Sequence, residues 1–124
     1  MRALIVDDSR FSRRRLREML EGDGLTCSEA ADAETGLERL RAEPGFALML
    51  VDWNMPGMSG PEMIARARQE GMLGVKILMV TTVAESERIL EALDAGADEY
   101  LMKPFDVEGL REKLALMGLE RVGE

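Results

Sequence analysis

Histidine is absent from this chain, and cysteine occurs once, as Cys27. The usual nitrogen and sulfur ligands for zinc are therefore missing, and no disulfide can close within the chain. Positive charge is the minority sign: 16 Lys and Arg stand against 24 Asp and Glu, for a formal net charge of −8. Such a molecule repels nucleic acid phosphates and anionic lipid surfaces, which disfavours direct DNA binding unless a local basic patch forms. No apolar run approaches the ~18 residues of a membrane helix. The opening "MRALIVDD" has too short an apolar stretch before its first acids to serve as a secretory signal, so a cytoplasmic protein is expected. There is no internal repeat, low-complexity tract or linker. The 124 residues, 46% of them hydrophobic, read as one domain over 1–124.

What is present is an alternation. Short apolar runs occur at Ala3 to Val6, Thr26 to Ala30 (the weakest), Phe46 to Val51, Lys76 to Val80 and Glu99 to Met102. Segments with apolar residues spaced by three and four follow each of them: Ser9 to Glu21, Ala33 to Ala42, Gly60 to Glu70, Ala84 to Ala95 and Val107 to Leu119. Turn signals sit at the joints, as "EGDG", "EPG", "PGMSG" and "AGAD". Five strands alternating with five helices predict an α/β fold, a parallel sheet with helices on both faces and right-handed crossovers.

Open parallel sheets bind ligands beyond the carboxyl ends of their strands. Those ends carry Asp7 and Asp8 after the first strand, Asp52 after the third, Thr81 and Thr82 after the fourth, and Lys103 and Pro104 after the fifth. Three carboxylates brought together repel one another unless a cation joins them. Hard oxygen ligands that leave room for water suit Mg²⁺. Lys103 adds a point charge suited to a phosphate oxygen, and Thr81 adds a hydroxyl donor. Carboxylates, a cation, an ammonium and a hydroxyl form equipment for phosphoryl transfer, and a carboxylate can itself be the nucleophile. Taken singly, the acids also read as helix caps, Thr81 and Thr82 as β-branched strand residues, Lys103 as a solvated lysine and Tyr100 as core.

The stretches "LIVDDS", "MLVDWNMPGMSG", "ILMVTT" and "DEYLMKPF", in this order and spacing, resemble the receiver domain of bacterial response regulators, most of all its single-domain chemotaxis members. The resemblance spans Met1 to about Leu119. It implies a flavodoxin-like, five-stranded parallel sheet in the order 2-1-3-4-5. It implies that Asp52 accepts a phosphoryl group from a sensor histidine kinase, a histidine phosphotransfer protein or a small-molecule donor. Asp7, Asp8, Asp52 and the main-chain oxygen of Asn54 would hold Mg²⁺, and Lys103 would pair with the phosphoryl oxygens. Thr81 would turn to bond one of those oxygens, coupled to a rotation of Tyr100, and the Lys103–Pro104 peptide would be cis. A downstream protein target is implied but not named. Stand-alone action is expected because few residues follow the fifth helix. Thr82 departs from the pattern, since that position is usually small, and its bulk is expected to slow turnover of the phosphoryl group. Val83 offers no polar side chain to position a water.

Arg10, Arg13, Arg14 and Arg17 fall on one face of the first helix, opposite Leu16, Met19 and Leu20. The stripe reads either as a solvated face paired with nearby acids or as a docking surface for the phosphodonor. An anionic ligand such as a cyclic dinucleotide is a third reading. Two alternatives to the switch come from other classes. One is a receiver fold that binds partners without phosphorylation. The other is a phosphohydrolase acting through an aspartyl phosphate, which would place its nucleophile after the first strand in a D-x-D pattern, whereas the acids here are adjacent.

Overall fold

A computed structural model describes residues 1–119. Five strands, β1 (Arg2–Val6), β2 (Thr26–Ala30), β3 (Phe46–Asp52), β4 (Lys76–Thr81) and β5 (Glu99–Met102), alternate with α1 (Arg10–Gly22), α2 (Ala33–Ala42), α3 (Gly60–Gln69), α4 (Ile89–Ala95) and α5 (Val107–Leu116). All strand pairs are parallel, in the order β2-β1-β3-β4-β5. The predicted fold class and strand order are those observed.

The continuous apolar runs have a simple cause, because alternate residues of the inner strands enter opposite cores. Leu4, Val6, Met49, Val51, Ile77 and Met79 pack with α2, α3 and α4 through Leu37, Met63, Ile64 and Ala92. Ala3, Ile5, Leu48, Leu50, Leu78 and Val80 pack on the other face with Leu16 and Leu20 of α1 and Leu110 and Leu114 of α5. β2 is an edge strand, buried only at Cys27 and Ala30, which explains its weak sequence signal.

Helix ends obey local chemistry. Ser9, Asp32, Ser59 and Asp106 each accept a backbone N–H at the first turn of α1, α2, α3 and α5. The last helix stops before the expected Leu119. Gly118 takes φ +81°, and the N–H groups of Gly118 and Leu119 close on the carbonyls of Ala115 and Leu114, the left-handed cap that only glycine adopts without strain. The fourth helix is the larger departure. The periodic stretch from Ala84 winds as a 3₁₀ segment over Val83–Arg88, and α4 begins only at Ile89. No helix among the described residues is long and apolar enough to cross a membrane.

Candidate phosphoryl-acceptor site

The neighbouring strands β1 and β3 leave the sheet at the point where the chain order reverses, so their final acids meet. Asp7, Asp8 and Asp52 each present a carboxylate oxygen within 4.8 Å of the others. Asp7 is buried; its main-chain N–H is held by the Ala30 carbonyl, and its Oδ1 accepts the Ser9 N–H at 2.8 Å. Its Oδ2 is buried with no hydrogen-bond partner. Asp8 is exposed and Asp52 half-buried.

Lys103 reaches across from the end of β5. Its Nζ donates to Asp52 Oδ1 at 3.0 Å and lies 3.9 Å from Asp7 Oδ2. The Lys103–Pro104 bond is cis. One ammonium does not offset three carboxylates. Burial pushes the Asp7 carboxyl above its ordinary pKa, with the charges of Asp52 and Asp8 adding to the rise, and the Ser9 N–H and Lys103 only partly oppose it. Burial also raises Asp52; Lys103 opposes, while Asp8 and Glu85 push further upward. A hard divalent cation fits this set, because it would give the orphaned Asp7 oxygen a partner and relieve the repulsion.

Thr81 is buried at the end of β4, and its hydroxyl donates to the Thr82 carbonyl over a long 3.4 Å. Tyr100 is half-buried on β5, with Lys113 Nζ 4.2 Å from its ring centre. Asn54, two residues past Asp52, is exposed and turns its side-chain amide to Glu85 Oε1 at 2.8 Å.

The arginine stripe divides. Arg13 and Arg17 clamp α1 to the edge strand, pairing with Glu29 at 3.0 and 2.6 Å, and they also donate to the main-chain oxygens of Asp7 and Cys27. Arg10 is exposed, and Arg14 holds only a solvent-facing pair with Glu18 at 3.5 Å. Reversing Arg13 to Glu is expected to cost about 2 kcal/mol, because it sets two acids against each other in a half-buried place. Reversing Arg10 and Arg14 together should stay within about ±0.5 kcal/mol, as read by urea unfolding of the two variants.

Two features escape a reading of the sequence. Beside Lys103, the apolar groove of about 280 Å³ lined by Phe11, Arg15, Leu16, Pro104 and Phe105 joins residues from distant stretches, and Phe11 on its rim is 77% exposed. The second is Glu85, only 8% exposed, whose carboxylate takes both the Asn54 amide and the Thr82 hydroxyl. The spacing Thr82-x-x-Glu85 is a helix-start pattern and was the available signal.

The chain is similar to known proteins in sequence and fold. The family model described as "Response regulator receiver domain" matches residues 3–115. The chemotaxis protein CheY of Pseudomonas aeruginosa is 39% identical over 92% of this chain and 93% of its own length. Among solved structures, Vibrio cholerae chemotaxis protein CheY4 superposes with a TM-score of 0.83 at 32% identity, covering 92% of this chain and 95% of that one. A CheY-like receiver domain protein from Methanospirillum hungatei gives 0.84 at 36% identity, covering 94% of each. With the match running through every strand end that bears a polar group, this chain belongs to the response regulator receiver domain family.

Proposed function

We propose that the chain is a phosphoryl-accepting switch of two-component signalling in the cytoplasm, with Asp52 as acceptor. The observation that carries this reading is the meeting of Asp7, Asp8 and Asp52 with Lys103 at the switch point of the sheet. An Asp52 carboxylate oxygen attacks the phosphorus of a histidine-borne or small acyl phosphate donor. The bond from phosphorus to the donor breaks with its electron pair leaving on the donor, and an acyl phosphate remains on Asp52. Lys103 stands where it can follow the new phosphoryl oxygens. Asp7, Asp8, Asp52 and the Asn54 main-chain oxygen would hold Mg²⁺, which when bound neutralises charge on the phosphoryl group. The long Thr81 hydroxyl contact is weak enough to be exchanged for a phosphoryl oxygen, and Tyr100 on the adjacent strand answers that exchange at the face offered to a downstream protein.

Incubation with Mg²⁺ and acetyl phosphate, read by intact mass, tests the reading. Addition of one phosphoryl group is expected; no addition would leave only a binding module. Mg²⁺ itself should stabilise the native state by mass action. At about ten times its Kd the gain is roughly 1.4 kcal/mol, or ~5 °C in Tm for a chain of this size. Asp8→Ala should abolish that shift, and a response equal to wild type would remove Asp8 from the metal site.

Arg10, Arg14 and the groove bordered by Phe11 form the docking surface for an acidic phosphodonor protein. Reversing Arg10 and Arg14 to Glu should slow transfer from such a donor with a marked salt dependence, and leave labelling by acetyl phosphate nearly unchanged. An unaltered ratio of the two rates, at low and physiological salt, would make this helix face merely solvated.

A further inference from the structure

We propose that Glu85 is a positioning residue that restrains phosphorylation of Asp52, by tying the 3₁₀ segment after β4 to Asn54 and setting a fourth carboxylate against the incoming phosphoryl group. This inference rests on Asp52 being the acceptor. Glu85 is buried, yet among the described residues no cation stands within ion-pairing distance of it. Arg88 on the same segment feels its charge but is engaged by Glu91 and lies over the Trp53 ring. A buried carboxylate without a cation is costly, and it is held here by two donors, the Asn54 amide and the Thr82 hydroxyl.

Both donors flank the acceptor strand ends. Asn54 follows Asp52 by two residues, and Thr82 follows Thr81 directly. The start of the 3₁₀ segment Val83–Arg88 explains how the contact forms: Thr82 is the extended residue that caps it, and the Glu85 N–H donates to the Thr82 carbonyl, which brings the Glu85 carboxylate to the Thr82 hydroxyl. The Glu85 carboxylate stands at 2.8 Å from the Asn54 amide, two residues past Asp52, which sets its charge near the acceptor; after burial and Asp8, it adds the smallest share to the upward push on the Asp52 carboxyl. A phosphoryl group on Asp52 brings more negative charge onto the same ground. The tied segment and the phosphorylated acceptor therefore disfavour one another, and each weakens the other to the same degree. The charge has the opposite effect on a divalent cation held by Asp7, Asp8 and Asp52, which it favours.

That opposition supplies the test. Wild type, Glu85→Gln and Glu85→Ala are compared for labelling by acetyl phosphate at saturating Mg²⁺ and for Mg²⁺ affinity, followed by fluorescence of Trp53. Both variants should label about fivefold faster and bind Mg²⁺ about twofold more weakly. A residue that merely supported the segment would not move the two readouts in opposite senses. Labelling as slow as wild type in both variants, with Mg²⁺ affinity unchanged, would overturn the inference and leave the acceptor assignment standing. Failure of wild type itself to label would overturn both.

Discussion

Asp52→Asn is expected to lose phosphoryl labelling altogether while melting at a higher temperature than wild type in the absence of metal. The two outcomes have one source. The side chain is nearly isosteric, so the packing around β3 and the hydrogen bond from Lys103 to the remaining oxygen can persist, but the nucleophilic charge is gone. The Asp52 carboxyl is raised in the folded state, by burial first and by Asp8 and Glu85 as well, and Lys103 does not compensate fully. For an acid, a folded-state pKa above the unfolded one means that the charged form destabilises the fold at neutral pH. Removing it should add on the order of 1 kcal/mol, about 4 °C in Tm. The advantage should shrink as pH falls through the raised folded pKa toward the ordinary carboxylate range, because protonation then removes the same charge from wild type. Intact mass after acetyl phosphate treatment and melting curves at neutral and acid pH check both parts. Labelling of the variant at the wild-type rate would exclude Asp52 as acceptor.

Gly60→Ala should be the most damaging small substitution near the site, costing about 2–3 kcal/mol. Gly60 opens α3, and its N–H is held by the Trp53 carbonyl at 3.0 Å. Its backbone conformation does not require glycine. The space does: a Cβ there would lie 2.5 Å from the Asp52 main-chain oxygen and 3.0 Å from the Met79 side-chain methyl. The methionine can move, but the strand-end carbonyl cannot do so without carrying Asp52 with it. Labelling should therefore fall about tenfold or more along with stability, since small displacements of a reacting group are amplified in rate. Gly36→Ala is the control in the same core, because its closest clash, at 2.7 Å, is with the flexible end of Met63. Chemical denaturation and labelling rates compare the two. Equal costs at both positions would show that the approach to Asp52 has no special consequence.

Much of this fold is legible in the sequence. Continuous apolar strands such as "ALIV" and "FALMLV" cannot be half-solvated, so the alternation with helical segments already required a sheet covered on both faces, and the acids closing β1 and β3 then lay at its ligand-binding edge. Strand order came with the family resemblance, and the structure carries it. Other properties depended on which distant residues meet. Four arginines at helical spacing look alike along the chain, but only the packing of α1 beside β2 turns Arg13 and Arg17 onto Glu29 and leaves Arg10 and Arg14 to solvent. Periodicity from Ala84 onward could not show that the segment begins as 3₁₀, nor that Glu85 on it meets Asn54 from a different strand end. Local spacing determines the faces of each element through backbone geometry, whereas the partner that a charged side chain finds is decided by tertiary packing, which brings together groups that the chain holds dozens of residues apart.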